Sequence, residues 1–381
     1  MKRFTLLLTA ILLASLAFGG AGCDGRGSPN AENPGDSDFD SLSQAWKYSY
    51  RIAGNVYLRP EVVEEDSLVL FSGDAHLTAV SVSRDSVIWK SDNLDPSDPL
   101  QSIDLVVHDE AVYGYHTGKI IAWELENGSR RWTFTSSPSD NRILNFGFPD
   151  VGPDYFYGSG GGKHILVDRE KGDMVSSREA GAVGVTLRDS ALYLGQGWTP
   201  EGAEGQSRGA VLKVRATTGD TLWSFKTNRG GFYRIRPIVR HDRLYAGTQG
   251  GEMTEFVALD AETGEVIWRN KEARVYAAEM AAGKIFVNTG RDVMALDKET
   301  GETLWHAGLE AGHGESGLAY LDGYVYHPHG QGLRVINAKT GEVVHIEWPE
   351  NGYFWEVSTG AGKVFAQDSG ALYAFEPYSP K

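Results

Sequence analysis

Residues 258–268 read Ala-Leu-Asp-Ala-Glu-Thr-Gly-Glu-Val-Ile-Trp, and residues 295–305 repeat the phrase as Ala-Leu-Asp-Lys-Glu-Thr-Gly-Glu-Thr-Leu-Trp. Weaker copies occupy residues 121–132, 212–223 and 80–89. Each copy has a small residue, an apolar residue, a polar or acidic residue, a Thr-Gly-like turn and an apolar run ending in Trp. The turn residues are Asp85, Gly128, Gly172, Gly219, Gly264, Gly301 and Gly341, spaced by 43, 44, 47, 45, 37 and 40 residues. A period of about 40–45 residues is that of a propeller with four strands per blade.

Period-2 alternation of Val, Ile, Tyr and Trp around each phrase predicts strands. Glycine supplies the positive-φ place in the turn, and the preceding Asp can bond the turn amides. Seven complete hairpins are visible. The chain then ends on Leu-Tyr-Ala-Phe-Glu (372–376), which matches the first strand of the phrase and lacks its partner. Ala-Trp-Lys-Tyr-Ser (45–49) matches the missing partner, and Trp46 lies 43 residues before Trp89, in register with the repeat. The expectation is an all-β, eight-bladed propeller over 44–381, its last blade closed by the N-terminal strand. Closure removes an unpaired sheet edge.

The first 22 residues are expected to be a secretory signal peptide. Lys2 and Arg3 begin it, an apolar run over 4–18 follows, and small residues lead to Cys23, the chain's single cysteine. Gly-Ala-Gly-Cys (20–23) resembles a bacterial lipobox, with Gly20 in place of the usual Leu. That resemblance implies acylation of Cys23 and anchoring to a bacterial membrane. Residues 23–43 are rich in Gly, Ser, Pro, Asn and Asp, and are expected to be a tether. About 19 such residues reach roughly 24 Å. The net charge of −15 argues against nucleic acid as a partner.

The recurring phrase resembles the repeat of the PQQ-type propeller superfamily across nearly all of 45–376. Ser176 and His345 depart from it in the Trp place, and Ser81 and Arg215 in the Asp place. Two branches of the superfamily bear on function. Quinoprotein alcohol dehydrogenases hold PQQ and calcium at the propeller centre, under an adjacent cysteine pair. This chain is shorter and has no cysteine within the propeller. BamB-like lipoproteins combine a signal peptide, an acylated cysteine, a tether and one eight-bladed propeller, and act as scaffolds in outer-membrane β-barrel assembly. Resemblance to them implies a monomeric, non-enzymatic, protein-binding propeller in the cell envelope, with a small-molecule or PQQ propeller as the alternative. No catalytic residue, metal ligand set or cofactor is expected.

The repeat Trp residues recur at one structural place and are expected to pack between blades. Binding chemistry is expected in the segments after each phrase, which lead to the next blade's innermost strand on one face around the central channel. These segments carry Arg142, Phe232, Tyr233, Arg234, Arg274, Tyr276, His313, Tyr353 and Trp355. Arg, Tyr and Trp dominate binding hot spots. An insertion over 196–209 carries Trp198 and is a second candidate. His327 and His329 give only two imidazoles, short of a zinc site. The Gly-rich run 158–163 reads as a turn between strands.

Overall fold

The computed structural model describes residues 42–50, 59–65, 67–73, 76–83, 85–92, 105–116, 119–135, 150–160, 163–179, 182–198, 207–232, 235–249, 254–308, 316–329, 332–368 and 370–380. They belong to one compact unit, Ser41–Lys381; the other unit, Met1–Asp40, with Cys23 and most of the expected tether, lies outside the described residues.

The first strand is β1 (Gln44–Ser49). Blade 1 follows as β2 (Glu61–Val63), β3 (Leu68–Gly73), β4 (His76–Ser81) and β5 (Ser86–Lys90). Blade 2 is β6 (Val106–His108), β7 (Ala111–His116), β8 (Lys119–Glu124) and β9 (Arg130–Thr135). Blade 3 is β10 (Asp150–Val151), β11 (Tyr155–Gly160), β12 (Lys163–Asp168) and β13 (Met174–Glu179). Blade 4 is β14 (Ala182–Arg188), β15 (Ala191–Trp198), β16 (Arg208–Arg215) and β17 (Thr221–Thr227). Blade 5 is β18 (Ile238–Arg240), β19 (Arg243–Gly247), β20 (Phe256–Asp260) and β21 (Val266–Asn270). Blade 6 is β22 (Ala277–Ala281), β23 (Lys284–Asn288), β24 (Asp292–Asp297) and β25 (Thr303–Gly308). Blade 7 is β26 (Ala319–Leu321), β27 (Tyr324–His329), β28 (Gly332–Asn337) and β29 (Val343–Glu347). Blade 8 joins β30 (Glu356–Gly360), β31 (Lys363–Gln367) and β32 (Ala371–Phe375) to β1 as its outer strand. Every sheet is a four-stranded antiparallel meander, and β1 pairs β32 with Trp46 opposite Ala374. The eight blades and the N-terminal closure are those expected from the repeat.

The repeated phrase is the third strand, a turn and the outer strand. Its chemistry explains both turn and packing. Gly264 has φ 75°, and Asp260 Oδ1 accepts from the amides of Glu262 at 2.9 Å and Thr263 at 2.7 Å. Asp168, Asp297 and Asn337 bond their own turns in the same way. Such side chains stabilise a turn by satisfying amides that the ladder leaves unpaired.

The repeat Trp residues join blades. Trp89 Nε1 donates to the carbonyl of Leu125 in blade 2 at 2.8 Å, and Trp132, Trp223, Trp268 and Trp305 each donate to the equivalent carbonyl of the next blade. Trp46 donates to Val82 across the closure. The strand partner of the Trp is alanine in blades 1, 2, 5, 6 and 8: Ala79, Ala122, Ala258, Ala295 and Ala374. Blades 3 and 7, which lack the Trp, set Leu166 against Ser176 and Val335 against His345. In blade 3 the large residue sits on the third strand and the small one on the outer strand, the reverse of the Trp-bearing pairs with alanine. Among the described residues the core falls into eight apolar clusters, one in each seam between neighbouring blades.

His345 has no turn of a following phrase to dock on, because in blade 8 the third and outer strands are β32 and β1, which no turn connects. Tyr378 takes the place: its ring lies 5.9 Å from that of His345, and its amide donates to Tyr326 Oη at 2.8 Å. Leu42, within the expected tether, is buried here, and its amide donates to Glu347.

Candidate partner-binding face

The meander gives the ring two unlike faces. Turns from first to second and from third to outer strand lie on one, the turn face. Loops from second to third strand, and crossings to the next blade, lie on the other, the connection face. The crossings run inward to the strands that line the bore, so the connection face gathers segments from every blade around one opening.

Of the sequence-derived candidates, Phe232, Arg274, Tyr276, Tyr353, Trp355 and Trp198 are described; Arg142, Tyr233, Arg234 and His313 lie outside the described residues. Phe232 is not a surface residue. It is 1% exposed, 6.5 Å edge-on from Phe225, in the core between blades 4 and 5. The cause is local: a β-carbon at Gly209 would come within 2.8 Å of its ring, so glycine there opens the space that Phe232 fills.

The others stand on the face in two pairs. Arg274 is exposed and holds its guanidinium 5.1 Å from the centroid of the Tyr276 ring. Tyr276 is fixed behind by its amide, which donates to Asn288 at 2.8 Å, and by Gly290, where a β-carbon would come within 2.7 Å of its ring. Tyr353, 43% exposed, lies 5.6 Å from the half-buried Trp355, whose amide donates to Gln367 at 2.9 Å. Trp348 is also well exposed, at the start of the same crossing. Trp198 stands 40% exposed at the end of β15, opposite Arg208.

Two groups that sequence reasoning missed organise this face. Glu255 is wholly buried just before β20. Its carboxylate accepts from Thr227 Oγ1 at 2.5 Å and from Arg269 Nη1 at 3.0 Å, and Arg229 Nε lies 4.0 Å away. Thr227 Oγ1 in turn accepts from the amide of Arg229, which ties the crossing from blade 4 to blade 5 to the buried charge. Arg269 also covers the Phe225 ring, 5.0 Å from its centroid. A pattern of alternating polarity gives no warning of a carboxylate that is paired and buried.

The second group crosses the bore. Arg59, leading into blade 1, places Nη2 3.9 Å from Glu279 Oε2 on the innermost strand of blade 6, and donates to the carbonyl of Leu318 in blade 7 at 3.4 Å. Burial pushes the Glu279 carboxyl pKa up, against the pull of Arg59 and Arg240. The partners lie 220 residues apart, so spacing along the chain carries no signal of the pair.

The face therefore offers arginine and aromatic side chains in the crossings just before the innermost strands, and Trp198 at the end of β15. Among the described residues no group of three or more His, Cys, Asp or Glu side chains converges as a metal site. His327 and His329 lie buried in blade 7, their rings 5.6 Å apart.

The family profile described as outer membrane protein assembly factor BamB matches residues 41–196 and 207–375. No curated protein matches the chain significantly. Similar solved structures include BamB from Moraxella catarrhalis, with TM-score 0.67 and 14% identity over 88% of this chain and 99% of that one. The computationally designed Ika8 protein gives 0.63 and 13% over 88% and 99%. Quinohemoprotein alcohol dehydrogenase from Comamonas testosteroni gives 0.66 and 13% over 90% and 78%. At such identities the likeness carries the fold alone.

Proposed function

The chain belongs to the family of outer membrane protein assembly factor BamB, and from that premise we propose that it is a non-enzymatic scaffold of the bacterial cell envelope that binds a protein partner in outer-membrane β-barrel assembly. The observation that carries the reading is the pairing of Arg274 with Tyr276 and of Tyr353 with Trp355 on one face. Large, stiff aromatic and arginine side chains held by their neighbours lose little entropy on binding, which is how a small patch dominates an interface.

The direction of the chain supports the same face. β1 runs from the turn face, where Gln44 pairs with Phe375, towards the connection face. A propeller anchored through a lipid on Cys23 would be joined to its tether at the turn-face end of β1. A PQQ-type redox reading shares the fold and finds less support in the residues. The chain's single cysteine, Cys23, precedes the propeller, and among the described residues no three His, Cys, Asp or Glu side chains converge as a metal site.

The test is a triple variant, R274A/Y353A/W355A, in the full lipidated chain. Capture of a barrel-assembly protein from its own membranes should fall at least tenfold, with the melting temperature of the purified variant nearly unchanged. Undiminished capture by the folded variant refutes the reading.

A further inference from the structure

Blade 4 breaks the repeat twice on one face of one strand. In the five other blades with a repeat Trp, its strand partner is alanine; in blade 4, Trp223 faces Lys213. Two residues on, where blades 3, 5, 6 and 7 carry the Asp or Asn that bonds the turn amides, blade 4 carries Arg215. Residues two apart on a strand point the same way. Both line a cleft of about 360 Å³ between blades 4 and 5 on the turn face, with Arg188 and His241 beside them and Tyr193 and Leu222 as apolar wall.

The lining sets three cations, Arg188, Lys213 and Arg215, among the carboxylates of Asp189, Asp242, Asp260 and Glu262. The phrase turns of blades 5 to 7 carry Glu262, Glu265, Glu299, Glu302 and Glu342 against Lys298 and Lys339. Lys213 is only 6% exposed, with its ammonium 5.7 Å from the Tyr193 centroid. Its ion-pair partner, Glu262 at 2.5 Å, has a side chain 87% exposed. Burying an ammonium is costly, whereas an exposed carboxylate gives up a pairing cheaply because water replaces it. Asp260 in the same cleft is spoken for by its own turn amides. Asp189 and Asp242 are exposed turn residues that also line the cleft, and they disfavour a highly charged ligand.

We propose that this cleft is a binding site for a small oxyanion, a phosphate or a carboxylate, which displaces Glu262 from Lys213 and is held by Lys213 and Arg215. It is independent of the partner-binding face, which lies at the other end of the blades.

The repeat itself supplies the test variants. Alanine at 213 and asparagine at 215 are what other blades carry, so K213A/R215N keeps the fold's own rules; K213M keeps the buried stem without its charge. Thermal unfolding of the purified chain is followed in increasing sodium phosphate and, separately, sodium acetate, each against sodium chloride of equal ionic strength. At least one oxyanion should raise the wild-type melting temperature saturably above the chloride control, and the apparent Kd should weaken at least tenfold in both variants. The oxyanion that acts identifies the class. Absence of any saturable shift in the wild type, or an undiminished shift in the variants, overturns the proposal.

Discussion

The ring of Trp89 in blade 1 lies so close to Gly128 in blade 2 that a β-carbon there would stand 2.3 Å from Trp89 Cε3. Trp132 meets Gly172, Trp223 meets Gly264, Trp268 meets Gly301 and Trp305 meets Gly341 in the same way. The turn glycine thus answers two demands, a positive φ and the approach of an indole from the preceding blade. Gly283, at φ 73°, answers only the first, with nothing within 4 Å of its would-be β-carbon. G283A should therefore cost about 1–2 kcal/mol of left-handed strain. G128A should cost a further 1–3 kcal/mol from displaced packing. Urea denaturation of the two variants measures the difference directly.

Blade 3 offers the converse experiment. Leu166 fills the space that Trp occupies elsewhere, opposite Ser176. L166A alone should lose about 2–4 kcal/mol, as a core truncation does. S176W alone should gain little, because Leu166 already fills that space. Together they restore the pairing of the other blades, and a double-mutant cycle should give a favourable coupling of at least about 1 kcal/mol.

These two relationships show what was legible in the chain. A repeat in register reports strands, turns, blade number and the closure at Trp46, because each is a local pattern copied many times. The alanine opposite five of the six repeat Trp residues was equally present in the sequence, but its meaning needs the strand register. Function lies where copies differ. Phe232 sat in a promising crossing and proved to be core, since only the space beside Gly209 decides which way its ring turns. Glu255 and the Arg59–Glu279 pair depend on contacts between distant segments, which no single-chain pattern records.

His327 makes stability fall in acid. Its ring is fully buried, Nδ1 lies 3.3 Å from the Gly317 carbonyl, and burial pushes its pKa down to about 3. Below the ordinary value of 6.5 the unfolded chain takes up a proton that the folded chain refuses, so stability present above that pH drains away as pH falls towards 3. Between pH 7 and pH 5 this one group should account for about 2 kcal/mol. The loss should be absent from H327Q when the two proteins are unfolded side by side across that range.

Glu255 should govern the order of the crossing it holds. E255A leaves Arg269 without its 3.0 Å partner and Thr227 Oγ1 without its acceptor. A cost of about 2–4 kcal/mol is expected for breaking a buried ion pair. Amide exchange at Gly231 and Phe232, bonded to Gln249 and Gln196, should quicken more than at β20. Uniform quickening across blade 5 would show that Glu255 supports the blade rather than the crossing.

Which face meets the partner is answered most directly by site-specific photo-crosslinking in living cells. A benzophenone side chain at Tyr353, on the connection face, is compared with one at Thr340, exposed in the phrase turn of blade 7 on the turn face. An adduct with a barrel-assembly protein should form from residue 353 and not from residue 340. An adduct from residue 340 alone would contradict a scaffold that binds through its connection face.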